Sequence, residues 1–435
     1  MQRIAVVGSG VAGLAAAWRL ATSPGERHVT LFEAGAHFGG HANTVDLTLD
    51  GITHGVDTGF LVFNERTYPL LIQLFADLGV NTAPSDMSFS VQVPHADGRA
   101  GLEWSGSSLN TVFAQRSNLL RPGFWRMLAE ILRFNRLATE LAQRGADRTL
   151  DSAIGDFLDE HRFSDGFRRD YLLPMIGCIW SCPTDQMLRF PIGTLIRFCH
   201  NHGLIQVTDR PQWHTVRGGS REYVKRLVAQ LPDARLNTPV LGLQRSTHHV
   251  RLLTRHGAES FDAVVLACHS DQALALLGDG ASADERAVLG AIRYQPNVAV
   301  LHRDGAVMPQ RRAAWAAWNY ERADAPTEQA QVCLHYWLNR LQPLPWQQPV
   351  LVSLNPARPI RDELVHQRIE YHHPVFDLAA IQAQHRLAGL QGQQRTWFCG
   401  AWCGYGFHED GLRAGLAAAD GVLHADAWAL ERSAA

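Results

Sequence analysis

The sequence predicts an α/β fold in which a dinucleotide-binding domain is interleaved with a second domain of mixed α+β structure. Three features predict this fold: an apolar run that leads into a glycine-rich loop at the start, strand-like runs in the middle, and a last strand followed by a helix. The length of 435 residues, 46% of them hydrophobic, corresponds to two or three structural units with a large core.

The first feature is a strand, a helix and a second strand over residues 4–33. Residues 4–7 are predicted as a buried strand, residues 14–20 as a helix, and residues 29–32 as a strand that ends at Glu33. Between the first strand and the helix, three glycines have the spacing G-x-G-x-x-G: Gly8, Gly10 and Gly13, with Val11 and Ala12 at the helix start.

This spacing has a physical reason at each glycine. Gly8 permits a tight turn, Gly10 lets the backbone approach a pyrophosphate, and Gly13 lets the helix pack closely on the strand. The pyrophosphate would lie on the N–H groups at the positive end of the helix. Glu33 would accept the ribose hydroxyls and repel a 2′-phosphate, so we expect NAD or FAD rather than NADP.

The later elements follow in order. Residues 107–205 have helical apolar periodicity, residues 239–268 return to strands, and residues 290–355 mix strands with aromatic loops. Residues 396–400 are predicted as the last strand, and Asp410 is predicted to cap a helix that begins near Gly411. We expect residues 1–80, 206–285 and 390–435 in the dinucleotide-binding domain, and residues 81–205 and 286–389 in the substrate domain.

Composition excludes some classes of partner. Lys plus Arg is 40 and Asp plus Glu is 42, for a net charge of −2, so no basic excess favours nucleic acid. The chain opens on a strand rather than a signal sequence, and its seven cysteines are scattered, which predicts a cytoplasmic protein with reduced thiols. Cys199, His200 and His202 lack a second pair of ligands, so no metal site is predicted.

Further motifs separate FAD from NAD. A Gly-Gly pair follows Glu33 in residues 33–41. Three later segments also distinguish an FAD site from an NAD site: residues 54–60, 398–401 and 408–412. With these segments the chain resembles the FAD-dependent amine oxidase and phytoene desaturase group of flavoproteins. The resemblance implies FAD, a Rossmann-like FAD-binding domain and an interleaved substrate domain. It implies cofactor contacts at Gly8, Gly10, Val11, Ala12, Gly13, Glu33, Ala34, Gly39, Gly40, His41, Thr58, Gly59, Phe60, Val240, Gly400, Ala401, Gly411 and Leu412.

The chain departs from that group at three places. His41 stands where the group usually has arginine, and Ala401 where an acid is common. The group's amine oxidases hold a water at the flavin with a lysine, but the corresponding residues 292–300 contain none. The only lysine of the chain, Lys225, is predicted as a surface residue. These departures make a true amine oxidase the less favoured alternative.

Aromatic residues of the substrate domain indicate an apolar pocket, with ordinary core packing as the alternative. His408 is the candidate base, kept neutral near a helix N-terminus, with an ordinary loop histidine as the alternative. The basic amphipathic stretch 119–136 predicts a helix packed on the substrate domain or one that lies on a membrane surface. The pocket residues proposed are Trp180, Phe190, Trp318 and Tyr336.

Four further segments carry a narrower likeness: residues 39–44, 180–181, 187–191 and 373–376. In these segments the chain resembles a bacterial branch of predicted flavin-containing amine oxidoreductases, whose members are often associated with fatty-acid-modifying methyltransferases. We therefore expect an FAD-dependent oxidoreductase that removes hydride from an apolar, fatty-acyl or lipid-like substrate, as a desaturase or oxidase. A flavin-containing amine oxidase is one alternative, and a flavin-binding accessory protein without turnover is another. We expect the cytoplasm, or the inner membrane face, as the location.

Overall fold

A five-stranded parallel sheet forms the nucleotide-binding half of the protein, which a computed structural model describes over residues 1–94, 100–144, 152–180, 184–206, 210–322 and 332–434. The apolar runs predicted as strands are fully buried at its centre, as expected for a sheet covered on both faces. In spatial order its strands are β10 (Asp233–Arg235), β2 (Arg27–Phe32), β1 (Gln2–Val7), β14 (Ala263–Leu266) and β20 (Thr396–Phe398).

Two helices pack against each other on this half, α1 (Val11–Thr22) and α15 (His408–Ala434). Their facing residues are small, and a Cβ at Gly415 would lie 2.1 Å from the carbonyl oxygen of Ala12. Because no side chain fits there, the backbones approach closely, and the start of α15 is held beside the start of α1.

A seven-stranded sheet forms the second half. It joins strands from residues 89–105 to strands from residues 293–375, so its chain order is interrupted by the helical region. In spatial order its strands are β19 (Val365–Val375), β15 (Arg293–His302), β18 (Leu351–Leu354), β17 (Cys333–Trp337), β16 (Trp318–Glu321), β7 (Phe89–Pro94) and β8 (Ala100–Ser105).

Three small antiparallel sheets complete the strands. The first lies beside the nucleotide half, and the others carry the segments that lead from one half to the other. They are β11 (Val240–Arg245), β12 (Val250–Thr254) and β13 (Gly257–Phe261); β3 (Thr44–Leu49) with β4 (Ile52–Asp57); and β5 (Phe63–Asn64), β9 (Trp213–Val216) and β6 (Thr82–Ser85).

The remaining helices lie mainly in the substrate half. Among the described residues, no helix is long and apolar enough to cross a membrane. These helices are α2 (Pro69–Leu78), α3 (Leu109–Val112), α4 (Pro122–Gln143), α5 (Ile154–Glu160), α6 (Asp165–Phe167), α7 (Leu173–Trp180), α8 (Thr184–Leu188), α9 (Ile192–Asn201), α10 (Arg221–Val228), α11 (Ser270–Leu277), α12 (Ala283–Leu289), α13 (Leu338–Leu341) and α14 (Leu378–Arg386).

The predicted α/β fold is confirmed, and one boundary is corrected. Helix α15 begins at His408, three residues before the predicted start near Gly411. The Asp410 carboxylate does accept backbone N–H groups, but those of Tyr405 at 3.0 Å and Phe407 at 3.1 Å. It therefore folds the preceding loop onto the helix rather than marking the helix start. The division of the chain into two domains at the stated boundaries remains a prediction.

Candidate active site

One cavity of about 710 Å³ connects the two halves of the protein. Its lining begins at the glycine loop between β1 and α1, passes the loops at residues 39–41 and 59–62, and ends among aromatic side chains of the substrate half. A ligand that fills it would therefore contact both halves, and its two ends differ in chemistry.

The glycine loop has the geometry of a pyrophosphate cradle. Gly8 has a φ of 102°, which favours glycine, and a Cβ at Gly13 would lie 1.9 Å from the carbonyl oxygen of Gly8. A Cβ at Gly10, in contrast, would meet no atom within 4 Å and would occupy the cavity itself. Helix α1 has no side-chain cap, so the amides at Val11 and Ala12 are available to an anion.

The Gly-Gly loop packs directly on this cradle. Gly39 forms an isolated bridge with Gly10, and its N–H donates to the carbonyl of Ser9 at 3.0 Å. A Cβ at Gly40 would lie 3.1 Å from Cα of Gly10. The two glycine loops therefore form one surface at the pyrophosphate position, which explains why both motifs belong to the same site.

Glu33 lies at the nucleotide end of the cavity. Its carboxylate accepts the N–H of Ser9 at 3.0 Å and that of Gly35 at 2.7 Å, as well as the Ser9 hydroxyl at 2.5 Å. Ala34 and Val240 line the same end. These bonds fix the carboxylate beside the glycine loop, where a ribose hydroxyl would meet it.

His41 is half-buried and lines the cavity. Its buried Nε2 has no hydrogen-bond partner among the described residues, and its ring stacks on Tyr371 with centroids 4.7 Å apart. Burial, with a smaller effect of neighbouring histidines, lowers the pKa of His41 well below its ordinary value. The ring is therefore neutral, and its buried Nε2 is a polar atom that a bound ligand would satisfy.

The backbone next to His41 positions the adjoining segment. The N–H of Phe60 donates to the carbonyl of His41 at 2.7 Å, and a Cβ at Gly59 would lie 2.2 Å from that oxygen. Gly59 and Phe60 line the cavity, whereas Thr58 lies behind it and bonds to the Tyr371 hydroxyl at 2.9 Å.

His408 is the first residue of α15 and lines the cavity. Its ring stacks on Phe60 with centroids 3.7 Å apart, and its Nε2 lies 3.0 Å from the Tyr223 hydroxyl. Burial lowers the pKa of His408 to about 3, so the ring is neutral as predicted. Burial accounts for this lowered pKa, and the contribution of the helix dipole stays a prediction. Nδ1 can accept a proton only in the tautomer in which Nε2 donates to the Tyr223 hydroxyl.

His373 is a second neutral imidazole at the cavity, and a chain of amides fixes its tautomer. The Val298 N–H donates to Oδ1 of Asn355 at 2.8 Å, so Nδ2 of Asn355 donates to Oδ1 of Asn297 at 2.6 Å. Nδ2 of Asn297 then donates to Nδ1 of His373 at 2.8 Å. His373 therefore carries its proton on Nε2, and burial lowers its pKa to about 4.

The distant end of the cavity is apolar. Trp318 and Tyr336 line it as predicted, but Trp180 and Phe190 do not. These two side chains are buried in the core, where their rings pack with centroids 5.9 Å apart. Apolar lining residues that the sequence did not single out are Leu61, Val62, Met87, Ile179, Phe198, Leu204 and Phe407.

Charge is nearly absent from the lining. Of the described residues that line the cavity, Glu33 alone is an acid, and none is lysine or arginine. Lys225 is 65% exposed and pairs with Glu222 at 3.4 Å, which confirms it as a surface residue. The strand β15, which covers most of residues 292–300, contributes Asn297 and through it His373, not a lysine.

The predicted contacts near the end of the chain divide into two groups. Gly400 and Ala401 line the cavity, whereas Gly411 and Leu412 do not. A Cβ at Gly411 would lie 2.7 Å from Cγ1 of Val11, so this glycine lets α15 approach α1. Leu412 is fully buried. The helix start that meets the cavity is instead at Phe407 and His408.

A buried cluster outside the cavity has metal-ligand side chains, Glu321, Cys333 and His335, whose ligand atoms lie within 4.8 Å of one another. The Glu321 carboxylate already accepts Nε of Arg358 at 2.7 Å and Nε2 of His335 at 2.8 Å. Burial opposes protonation of His335, but Cys333 and Glu321 raise its pKa to about 9. The cluster is thus an internal ion pair, because cationic groups already hold the carboxylate that a metal would need.

Sequence reasoning missed Tyr223, Asn297 and Asn355. Each acts on a cavity histidine from a distant element, and no spacing in the sequence links them. The residues of the cavity itself fit a flavin dinucleotide on two observations of this structure: open space beyond Gly10 and the buried, unpartnered Nε2 of His41.

Solved structures share this fold over nearly their whole length. Cyclohexylamine oxidase from Brevibacterium oxydans is 17% identical with a TM-score of 0.67, over 97% of this chain and 98% of that one. Putrescine oxidase is 17% identical with a TM-score of 0.65, over 97% and 99%. A fatty acid isomerase from P. acnes that produces CLA is 17% identical with a TM-score of 0.64, over 97% and 98%.

At 17% identity these neighbours establish the fold alone, and a comparison with curated proteins finds no match. The family assignment comes from the sequence. The family model of flavin-containing amine oxidoreductases matches residues 11–303, about two thirds of the chain. That range includes the Gly-Gly loop, Glu33, His41 and Phe60. The chain belongs to the flavin-containing amine oxidoreductase family.

Proposed function

We propose that this protein is an FAD-dependent oxidoreductase that removes hydride from an apolar substrate, such as a fatty-acyl chain or another lipid-like molecule. The observation that carries the proposal is the cavity, which is a dinucleotide cradle at one end and an uncharged, largely aliphatic and aromatic chamber at the other. FAD, when bound, supplies the electron acceptor. The chain's own residues bind it, exclude water and move a proton.

FAD rather than a smaller flavin is supported by the nucleotide end. The cradle at Gly10 and the fixed carboxylate of Glu33 lie at one end of the cavity, and His41 and His408 lie further along it. A mononucleotide would leave the Glu33 end empty. The carboxylate also disfavours a 2′-phosphate.

An uncharged substrate is supported by the lining. A substrate ammonium would lose its water on entering. It would find no carboxylate among the described residues that line the apolar end, since Glu33 is held at the nucleotide end. A substrate carboxylate would find no lysine or arginine among the described lining residues. The group that enters is therefore an apolar one, and an acyl chain meets that requirement.

Proton transfer falls to His408. Its neutral ring lies at the cavity wall beside Phe60. With Nε2 donating to the Tyr223 hydroxyl, Nδ1 can accept a proton as hydride leaves the substrate. His373 and His41 present neutral nitrogens to the same cavity, so they can donate or accept hydrogen bonds without bringing charge.

The first test is the identity of the bound cofactor. Purified protein should be yellow, and the cofactor released on denaturation should be FAD by chromatography. Protein that is colourless and takes up no FAD, or that releases FMN, would contradict the assignment of the nucleotide end.

The second test concerns amines. Peroxide release with a panel of primary, secondary and polyamines should stay far below ordinary enzyme turnover, which is on the order of 1–10³ per second. Amine turnover within that range would show that the cavity accepts an ammonium, and the lining argument would be wrong.

A further inference from the structure

The exposed apolar side chains of the protein are concentrated in residues 106–136, here called the docking segment. The segment consists of α3, a 3₁₀ turn at Arg116–Leu120 and the first part of α4. Among the described residues, it contains five of the ten large hydrophobic side chains that are strongly exposed. These five are Leu109 (80% exposed), Leu119 (46%), Leu120 (86%), Trp125 (49%) and Leu132 (60%).

The opposite face of the same segment is firmly packed. Phe124, Met127 and Phe134 are buried, and the ring of Phe124 contacts Trp104 at 6.3 Å between centroids. Helix α4 therefore packs on the substrate half, which is one of the two arrangements predicted for residues 119–136. The exposed side chains are a second apolar face that this packing leaves in solvent.

The docking segment is also strongly basic. Its five arginines, all exposed, are Arg116, Arg121, Arg126, Arg133 and Arg136. Its single acid, Glu130, is buried and accepts the N–H of Ser164 at 3.3 Å, and the Arg126 guanidinium pairs with it at 3.3 Å. A segment with five arginines and one acid stands out in a chain whose net charge is −2.

We propose that the docking segment binds the surface of an anionic lipid bilayer. The exposed leucines and Trp125 would enter the boundary between headgroups and acyl chains, while the arginines contact lipid phosphates. Arginine suits this position because its aliphatic stem lies along apolar surface while its charged end reaches the headgroups.

The charge of the docking segment favours an anionic lipid surface over a second copy of the chain as its binding partner. In a symmetric dimer the same patch would meet itself, so two clusters of five arginines would face each other. A negatively charged lipid surface complements both the charge and the apolar side chains at once.

A short series of side-chain contacts links the docking segment to the wall of the cavity. Phe124 contacts Trp104, Trp104 contacts Phe89 at 6.3 Å between centroids, and Phe89 is paired in register with Trp318, which lines the cavity. A bilayer at the segment would place the protein beside a reservoir of apolar molecules. The inference itself does not rest on the proposed substrate.

The test is flotation of the flavin-loaded protein with vesicles of phosphatidylcholine, with and without phosphatidylglycerol. We expect binding to the anionic vesicles only, weakened by added salt. Combined Arg121→Gln, Arg126→Gln and Arg136→Gln should weaken binding about 100-fold, since each arginine near such a surface contributes about fivefold, or about 1 kcal/mol. Combined Leu120→Ser, Trp125→Ser and Leu132→Ser should weaken it at least tenfold.

Matched variants serve as controls for exposed residues elsewhere. Ile52→Ser with Leu378→Ser removes two apolar side chains that are 47% and 46% exposed, and Arg251→Gln with Arg255→Gln removes two exposed charges. Neither control should change vesicle binding. Retained flavin absorbance in every variant shows that the protein is folded.

Several results would overturn the proposal. The protein would fail to bind anionic vesicles at low salt, or it would bind neutral vesicles equally well, or the control variants would lose as much vesicle binding as the test variants. Light scattering would identify the other occupant: a concentration-dependent dimer that the serine variants abolish would assign this face to a second copy.

Discussion

The two ends of the cavity are built in different ways. At the nucleotide end, backbone groups of neighbouring residues make the site, and Glu33 is the one side chain that supplies charge. At the other end, side chains from distant elements make it: His408 is held by Tyr223 of α10, and His373 by Asn297 of β15. A short motif can specify the first kind of site, whereas the second exists only in the folded chain.

The largest effect that this comparison predicts is at His408. His408→Ala should retain FAD but slow flavin reduction by a productive substrate by about 10²–10⁴-fold, the usual contribution of a general base. Rapid mixing under anaerobic conditions measures this rate. Tyr223→Phe, which removes only the partner of Nε2, should give a smaller loss. An unchanged rate in His408→Ala would mean that His408 only packs against Phe60. Loss of FAD would mean that His408 also contributes to FAD binding, against the separation of the two ends.

Glu33→Ala should weaken FAD binding without slowing flavin reduction. Loss of a charged hydrogen bond of about 1.5–3 kcal/mol should weaken FAD binding about 10- to 150-fold. The rate of reduction of the remaining loaded enzyme should not change. Glu26→Ala, at an 89% exposed carboxylate, is the control. Titration of apoprotein with FAD measures the affinity, and equal affinities for the two variants would remove Glu33 from the site.

Gly10→Val tests the backbone cradle without a change of charge. The φ of −61° and ψ of 174° at Gly10 are open to any residue, so the valine would fill the cavity rather than strain the chain. Overpacking of about 1–3 kcal/mol should weaken FAD binding about 5- to 150-fold. Gly389→Val, at an exposed glycine with free space around it, should bind FAD normally. FAD affinity in Gly10→Val equal to that of the control would contradict the cradle.

The same difference explains which site residues could be predicted from the sequence. Gly8, Gly10, Glu33 and Val240 were placed in the nucleotide site from the sequence, and all four line the cavity. The roles of Gly8 and Gly10 depend on backbone geometry that local spacing encodes. Glu33 follows from its place after the second strand, and Val240 from the family resemblance. Gly411 was assigned to the flavin because the helix was expected to start there. The actual start at His408 moves that contact by about one turn.

The aromatic end was harder to predict for a related reason. Whether an aromatic side chain lines a pocket or fills a core depends on which side of its element faces the cavity. Trp318 faces it and Trp180 does not, although both lie in the substrate half. The tautomer of His373 depends on Asn355, a residue 18 positions away along the chain that no motif connects to it.

The last predicted effect concerns acid stability and does not involve FAD or substrate. Burial lowers the pKa of His408 to about 3, from an ordinary value of 6.5. Between these values the unfolded chain binds a proton that the folded chain does not, so this histidine makes the free energy of unfolding fall as the pH falls. His408→Gln should remove about 1.4 kcal/mol per pH unit of that dependence between pH 6 and 4.

Denaturant unfolding of the two proteins, each at several pH values, measures that difference. Asp57 and Asp410, whose pKa values burial raises to about 6, act in the opposite direction in both proteins and cancel in the comparison. His248→Gln, at an exposed histidine outside the cavity, is the control for the substitution itself. Identical slopes for wild type and His408→Gln would contradict the lowered pKa of His408 in the folded protein without substrate.

The central claim, that the apolar end of the cavity presents an uncharged substrate to a bound flavin, is tested most directly by anaerobic titration of the yellow protein. Fatty acids, fatty-acyl esters and amines would each be added while the visible flavin band is recorded. We predict that an acyl compound bleaches the band and that amines do not. Bleaching by amines alone would contradict the account, and so would a flavin that only artificial donors reduce.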